Sequence, residues 1–310
     1  MTLPMLMPKR SRSLRAMSAL WLVAAALALS GCASRTFPTQ PATDAPASAF
    51  ADGLDAQAVF DRCLAAHGGD IRKHPGDFNL STDGRWFALI QKIQPLVTDS
   101  AFRIRSEERY RPSEALYAVR HTGPSGTKYV VRSGGALASV RYNGVLETDP
   151  AKLRATAMTN DAFLMFHFGP SYFIGRVDRW QRLADTQEDG RRYRRLFGAL
   201  RPGFGDAADD RVIVWIDADT ARLFRIHMTL NGFETTQGAH VDTTFLAYRD
   251  IAGYLLPVRF HERVRGPLQI DAHTWWTTGI DVDRGWTADD VTGGDFIGKA
   301  AAAAAAIPAE

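Results

Sequence analysis

The sequence predicts an α+β fold in which a large antiparallel β-sheet is covered by a few helices. Hairpin patterns follow one another along most of the chain, each with two alternating apolar and polar segments joined by a turn. Long helices do not separate the strand patterns, which argues against a parallel α/β sheet. One segment that is apolar on all sides, residues 159–174, interrupts the series and is expected to be buried against the sheet.

The N-terminus has the pattern of a bacterial secretory signal. Four basic residues between positions 9 and 15 precede an apolar run from Ala19 to Leu29. This run is short and rich in alanine for a membrane span. An ordinary signal peptide and a single membrane span are the alternatives. The tetrapeptide Leu29-Ser30-Gly31-Cys32 resembles the lipobox of bacterial lipoproteins.

This resemblance implies a lipid anchor at Cys32. A diacylglyceryl group would be attached to the Cys32 sulfur, the signal peptide 1–31 would be removed, and a fatty acyl chain such as palmitate would be added to the new amino group. Three acyl chains exceed the two signals that stable membrane attachment needs. Ala33-Ser34 follow the cysteine instead of the aspartate that commonly retains lipoproteins at the inner membrane. The resemblance therefore points to the outer membrane, with the protein facing the periplasm.

Composition divides the rest of the chain into three parts. Residues 32–51 contain the lipidated cysteine and then Ala, Pro, Thr and Ser without an apolar period, which predicts a flexible tether. A single domain is expected over residues 52–297. Residues 298–310 form a low-complexity, alanine-rich tail without evident chemistry.

The charge and cysteine content exclude some classes of function. Without the four basic residues of the signal, 33 basic residues face 34 acidic ones, a net charge of −1. This balance gives no electrostatic support for a nucleic-acid partner. If Cys32 carries lipid, Cys63 is the one remaining cysteine, so no intrachain disulfide can form. Cys63 is expected to be a small buried apolar residue.

The first element of the domain is predicted to be a helix. Asp55 is placed to cap it, and Phe60, Cys63 and His67 lie close to one helical stripe. Gly68-Gly69 should end it.

The alternating segments predict a series of strands. The turn at residues 123–126 and the acidic turns at 188–190, 217–220 and 250–253 supply hairpin chemistry. The predicted strands are 102–110, 116–121, 127–132, 136–142, 180–183, 191–197, 211–216, 222–230, 241–249, 254–264 and 270–280.

The apolar segment 159–174 is predicted to start as a helix near Thr159, Asn160 and Asp161, which can act as caps. The Gly169-Pro170 pair is expected to break it.

Three short motifs resemble the outer-membrane lipoprotein-sorting superfamily of LolA- and LolB-like proteins. They are Val214 to Thr220 with Leu223 and Arg225, then Tyr248-Arg249-Asp250 with Gly253, Tyr254, Pro257 and Arg259, and the helix end Ala65 to Gly69. The resemblance extends over about residues 54–286. It implies a curled sheet shaped like an open half-barrel, with an apolar concave face under helices that holds acyl chains or similar ligands.

A ligand cavity under the apolar segment is therefore expected, with an ordinary filled core as the alternative. Alternation along two strands and the aromatic content of the apolar segment select the candidate lining residues. These are Phe163, Phe166, Phe168, Tyr172, Phe173, Phe224, Ile226, Met228 and Trp276. The expected partner is a hydrophobic ligand, such as a lipid or acyl chain, or a lipidated protein.

Two other classes of function remain open. An envelope enzyme, for example a hydrolase, could use rim residues such as His67 or His167. His227, His261 and His273 could also form a site with Asp271, although a solvated outer face explains them more simply. Neither an H-E-x-x-H nor a C-x-x-C motif occurs, and no cofactor or metal is predicted. A structural or assembly lipoprotein without a ligand is the other alternative; a binding protein is favoured over an enzyme.

Overall fold

A computed structural model describes residues 36–41 and 44–292. The lipobox with Cys32 and the alanine-rich tail 298–310 lie outside the described residues. Among the helices in this part of the chain, none is both long enough and apolar enough to cross a bilayer.

The described chain forms one open antiparallel sheet of thirteen strands. Their order across the sheet is β6-β5-β4-β3-β2-β1-β13-β12-β11-β10-β9-β8-β7. The strands are β1 Phe78–Trp86, β2 Arg105–Arg111, β3 Leu116–Gly123, β4 Gly126–Ser133, β5 Ala136–Tyr142, β6 Val145–Leu146, β7 Gln181–Glu188, β8 Arg191–Leu200, β9 Asp210–Asp217, β10 Leu223–Thr229, β11 His240–Ile251, β12 Tyr254–Gly266 and β13 Ile270–Val282. The predicted α+β fold class and its serial hairpins are confirmed.

The α-helices of the described residues are α1 Ala56–Ala66, α2 Ala88–Ile93, α3 Pro95–Thr98, α4 Pro150–Phe168 and α5 Ala288–Thr292. Helix α1 agrees with the prediction. The Asp55 carboxylate accepts a hydrogen bond from the Ala58 N–H at 2.7 Å, which satisfies one of the free donors at the helix start. Gly68, with φ at +87°, follows the cap residue His67 and takes the chain out of the helix at its other end.

Helix α4 connects the two free edges of the sheet. Strands β1 to β6 run outward in one direction, and β7 to β13 return from the opposite edge until β13 pairs with β1. At this junction, Leu80 lies opposite Ile280. The chain between β6 and β7 must therefore cross a whole face of the sheet, and α4 makes this crossing.

Helix α4 begins nine residues before the predicted start. The Asp149 carboxylate caps it by accepting from the Ala151 N–H at 2.8 Å, and Pro150 occupies the first helical position. Asn160, which was predicted to be a cap, lies inside the helix, where its amide donates to the Thr156 carbonyl at 2.8 Å. The helix ends at Gly169 as predicted, and most of residues 159–173 are buried.

The middle of α4 packs on an aromatic cluster of strands β12 and β13. The ring centroid of Trp275 lies 5.1 Å from that of Phe163, 5.2 Å from that of Phe166 and 4.6 Å from that of Phe260. These contacts fill the centre of the concave face with the protein's own side chains.

Two β-bulges decide which residues reach this face. In β13, His273 pairs with Glu262 and Asp271 pairs with Arg263, so Ala272 is an extra residue. In β10, Arg225 pairs with Trp215 and Leu223 pairs with Ile216, so Phe224 is extra. Each bulge reverses the alternation along its strand.

The segment before α1 packs against the edge strand β7. The Gln181 amide donates to the Asp44 carboxylate at 2.7 Å, and the Arg182 guanidinium donates to Asp52 at 2.6 Å. Arg194 also donates to Asp52, at 2.6 Å. The Arg182 hydrogen bond, reinforced by Arg194, holds the pKa of Asp52 far below its ordinary value despite partial burial. Residues 44–52 therefore cover a sheet edge, although most of them were assigned to the flexible tether 32–51.

Candidate functional site

Two cavities lie on opposite sides of helix α4. The first cavity has a volume of about 360 Å³ and is lined by α4 residues 158, 159, 162, 163 and 166. The second cavity has a volume of about 240 Å³ and is lined by α4 residues 161, 164 and 168. At 3.6 residues per turn, these two sets occupy opposite faces of the helix. The hollow between sheet and helix is therefore filled in the middle and open on both sides.

The first cavity is enclosed by mainly apolar side chains. Ile90 and Ile93 from α2 and Val97 from α3 form one wall. The floor is Val241 from β11 and Val264 from β12 together with Trp86, while the loop 235–239 and the turn between β12 and β13 complete the enclosure. Because apolar surface that faces a cavity is stabilised by an apolar ligand, this lining favours such an occupant.

The first cavity reaches the protein surface beside α2. Ile93 and Leu268 both line the cavity, yet they are 43% and 48% exposed. Leu89 on α2 and Leu96 on α3 are 49% and 41% exposed. Large apolar side chains therefore surround the opening.

Two charged residues, Arg103 and Glu262, also line the first cavity. Arg103 is buried, and one guanidinium nitrogen donates to the Val97 carbonyl at 2.8 Å. Its guanidinium lies over the rings of Phe163 and Trp86, 5.0 Å and 5.4 Å from their centroids. Burial raises the pKa of Glu262 to about 7, although the positive charge of Arg103 acts in the opposite direction.

The second cavity is smaller and more polar. Arg132 and Asp161 form a buried ion pair of 3.0 Å at its wall, and Arg176 donates to the Tyr172 hydroxyl at 3.1 Å. The charges of Arg132 and Asp161 thus compensate each other.

The architecture was compared with known structures. A LolA superfamily protein from Nitrosomonas europaea superimposes with a TM-score of 0.51 and 14% sequence identity, covering 77% of this chain and 98% of that one. The chain has a LolA-like fold. A putative outer membrane lipoprotein-sorting protein domain from Vibrio parahaemolyticus gives a TM-score of 0.42 and 12% identity, with coverage of 77% and 98%. Neither a protein-family profile nor a curated protein matches the sequence.

The predicted lining residues are distributed over four places in the LolA-like sheet and its helix. Phe163 and Phe166 line the first cavity, and Phe168 and Tyr172 line the second. The other five lie elsewhere. Phe173, Ile226 and Met228 are packed in the core, while Phe224 and Trp276 lie on the sheet face turned away from α4.

The bulges explain the placement of Phe224 and Trp276. Phe224 is the extra residue of β10 and stacks on Tyr193, with 4.3 Å between ring centroids, while Leu223 occupies the core. Trp276 pairs with Arg259 on the outer face, and Trp275 faces α4 instead. Strict alternation from Ile270 predicted that Trp276 would face α4 and Trp275 would face outward. The extra residue Ala272 turns every later side chain of β13 to the opposite face.

Several residues of the first cavity escaped sequence reasoning. Helices α2 and α3 are six and four residues long, too short for a periodic signal. Arg103 and Glu262 lie in segments whose polar residues suggested a solvated surface. The apolar pair Leu89-Ile90 with Ile93 was the available signal, since it has helical spacing.

His67 and His167, the rim candidates of the enzyme alternative, are both buried. His67 bridges three elements: its Nδ1 lies 2.9 Å from the Leu255 carbonyl, and its Nε2 accepts from the Leu223 N–H at 3.0 Å. This arrangement fixes the neutral tautomer with the proton on Nδ1. Burial lowers the pKa of His67 to about 4, against the effect of its hydrogen bond to Leu255.

His167 belongs to a buried polar network centred on Glu108. Its Nε2 lies 3.3 Å from the Glu108 carboxylate, which also accepts from Ser106 at 2.6 Å and from the Tyr110 hydroxyl. Burial favours the neutral acid, but His167 and the two hydroxyl groups outweigh it and lower the pKa of Glu108 to about 2. The network joins α4 to the first half of the sheet.

The other histidines that were considered for a shared site lie apart. His227 is 2.7 Å from His240, His261 is 3.0 Å from Asp271, and His273 stacks on Trp86 with 3.8 Å between centroids. Within residues 36–41 and 44–292, no group of three or more His, Cys, Asp or Glu side chains is placed to hold a metal ion.

Proposed function

We propose that this protein is an outer-membrane lipoprotein that faces the periplasm and binds one acyl chain, of a lipid or of a lipidated partner, in the first cavity. The observation that carries the proposal is the apolar cavity of about 360 Å³ that opens to the surface between α2, α4 and the sheet. Its volume lies within the range of small-molecule sites, about 300–1,000 Å³. The LolA-like fold supports the proposal because a half-barrel leaves room between sheet and helix.

The apolar lining favours the chain of the ligand over any specific head group. Each methylene that moves from water into the cavity contributes about 0.8 kcal/mol. Shortening a bound chain by two carbons should therefore weaken binding about 15-fold, as long as both carbons lie inside. Loose specificity among ligands of one chain length is expected, because apolar contacts discriminate poorly.

The anchor at Cys32 is part of the proposal. The contacts of Asp44 and Asp52 with β7 attach the start of the domain to the edge of the sheet. The twelve residues 32–43 between the proposed anchor and this contact would span at most about 40 Å if extended.

Binding is tested with protein that is produced without the signal peptide and is therefore not acylated at Cys32. Native mass spectrometry should detect a co-purified lipid, and a fluorescent fatty acid should be displaced by laurate. Ala162 lines the first cavity, so Ala162→Phe should fill it and weaken displacement at least tenfold. Leu164→Phe is the matched control, since residue 164 lies on the same helix but lines the second cavity.

Unchanged binding in Ala162→Phe would refute this location of the site. Absence of both co-purified lipid and fatty-acid binding in the wild-type protein would refute the carrier function and favour a structural or assembly role.

The anchor is tested separately by metabolic labelling with palmitate and by membrane fractionation. The chain has two cysteines. Cys32→Ser should abolish the label and release the protein from the outer-membrane fraction, whereas Cys63→Ala, a change in the buried core, should retain both. Label that persists in Cys32→Ser would contradict the lipobox assignment.

A further inference from the structure

We infer that the first cavity takes a single-chain amphiphile with its anionic head group directed inward, toward the guanidinium of Arg103. This inference rests on the proposed function and specifies the class of ligand for the same site. It follows from the charges at the inner wall, since an apolar chain alone would not require them.

Arg103 is a buried cation that makes no ion pair among the described residues, although the charges of Asp99 and Glu262 act on it from a distance. Among the described residues, no carboxylate oxygen lies within 4.0 Å of its guanidinium. Asp99 is close enough to act on Arg103, but its carboxylate is occupied by Lys128 at 2.8 Å and by the Tyr142 hydroxyl at 2.7 Å. A buried charge that lacks a partner is costly. An anion that enters the cavity would supply the missing charge.

Glu262 is the second charged group of the cavity wall. It is half-buried, and none of the described residues makes a hydrogen bond or ion pair with its carboxylate within the usual distances. Its exposed part faces the cavity, because the residue lines this space and yet is desolvated enough for burial to raise its pKa to about 7. Glu262 can thus be neutral or charged near neutral pH.

The two groups together favour an anionic ligand over a cationic one. With an anion beside Arg103, Glu262 can take up a proton and donate a hydrogen bond to the ligand, which leaves one cation and one anion in the cavity. A cationic ligand would pair with ionised Glu262 but would bring a second positive charge near Arg103. The first arrangement leaves no charge uncompensated, and so it is favoured.

Other charged groups around Glu262 do not alter this balance. His273 pairs with Glu262 across the strands, and burial together with Arg103 keeps its pKa well below the ordinary value, so it is neutral. Asp242 raises the pKa of Glu262, but its carboxylate is held by Arg263 at 3.1 Å and Arg265 at 3.3 Å. His261 and Arg263, the neighbours of Glu262 on β12, alternate to the outer face.

The remaining lining residues fit a tail that extends outward. Besides Arg103 and Glu262, the cavity is bounded by the apolar Met158, Ala162 and Val241 and by the exposed Ile93 and Leu268. A chain whose head lies at Arg103 would run along these residues toward the opening. The same chemistry fits a free fatty acid or a single-chain phospholipid, so the test includes both.

The experiment measures the dissociation constants of four probes for the lipid-free protein at pH 6 and pH 8 by calorimetry. The probes are laurate, a lauroyl lysophosphatidic acid, dodecanol and dodecylamine. Laurate should bind at least tenfold more tightly than dodecylamine at pH 6. Its affinity should fall about tenfold from pH 6 to pH 8, as the protonated fraction of a group with a pKa of about 7 falls. Dodecanol should show no pH dependence.

Glu262→Gln is the decisive variant because glutamine keeps the shape and the hydrogen-bond donor. Laurate should bind this variant equally at pH 6 and pH 8, and dodecanol should bind as it does to the wild-type protein. Arg103→Gln should reduce laurate binding at least tenfold and leave dodecanol binding within twofold.

The outcomes separate the two proposals. Laurate, dodecanol and dodecylamine binding with equal affinity at both pH values would overturn the head-inward inference while supporting an acyl-chain site. Binding of none of the probes would overturn the proposed function itself. If laurate binds and the lysophosphatidic acid does not, the head group is a carboxylate; the reverse assigns a phosphate.

Discussion

The interior bridge made by His67 gives the sharpest test of how this fold is held together. In His67→Leu, the Leu223 N–H and the Leu255 carbonyl both lose their hydrogen-bond partner in a buried place. Each unsatisfied group costs about 1–3 kcal/mol, so the variant should be about 2–6 kcal/mol less stable at pH 7.

The same residue predicts how this difference changes with pH. The pKa of His67 falls from an ordinary value of 6.5 to about 4 in the folded protein, so the unfolded chain binds the proton more readily. The contribution of neutral His67 to the stability of the folded state is therefore fully present above pH 6.5. This contribution is lost as the pH falls toward 4, because the unfolded chain takes up the proton first. Between pH 7 and pH 4, protonation of His67 should destabilise the wild-type protein by about 3 kcal/mol.

Leucine cannot take up a proton, so the variant lacks this loss. The stability gap between the two proteins should therefore shrink by about 3 kcal/mol between pH 7 and pH 4. Urea unfolding at several pH values measures this gap. Other buried histidines, such as His121 and His273, contribute equally to both proteins and cancel in the difference. A gap that stays constant with pH would refute the neutral-bridge assignment.

Two further predictions test the bulges and the N-terminal segment. Trp275→Ala should cost about 3–5 kcal/mol in stability by urea unfolding, whereas Trp276→Ala on the outer face should cost less than about 1 kcal/mol; equal effects would contradict the register of β13. Asp52→Ala should speed protease cleavage near residues 44–54, because it releases Arg182 and Arg194, whereas Asp61→Ala on the exposed side of α1 should not. An unchanged cleavage rate in Asp52→Ala would show that this segment is held by other contacts.

The hairpins could be predicted from the sequence because their chemistry is local. The Asp217 carboxylate accepts from the N–H groups of Asp219 and Thr220 at 3.0 Å and 2.8 Å, so the side chain itself shapes the turn. Ala252 has φ of +53° beside Gly253, as a tight turn requires. Such signals need no knowledge of the rest of the fold.

Strand β1 escaped prediction for a different reason. Phe78 and Leu80 point into the core, but the next inward residue is Thr82. The Thr82 hydroxyl lies 2.5 Å from the Ser106 hydroxyl, which in turn donates to the Glu108 carboxylate. A buried polar network replaces apolar alternation along half of this strand. Polar residues that are satisfied by tertiary contacts look like surface residues in the sequence.

The candidate site was the least predictable part. The apolar segment and its role beside the cavity follow from composition, and Phe163 and Phe166 do line the first cavity. The side of the sheet reached by Phe224 and Trp276 depends on single extra residues, which leave no trace in a hydrophobic pattern. Arg103 and Glu262 come together only through folding, since 159 positions separate them in the chain.

The pairing of β1 with β13 has a consequence for the order in which the protein matures. The hairpins within each half join neighbouring segments and can form early, while this central ladder joins residues about 200 positions apart. The walls of the first cavity include residues from both sides of that junction. Until β13 pairs with β1, the two meanders form separate surfaces and the first cavity lacks part of its wall, so this cavity is completed only after the last strand has been synthesised.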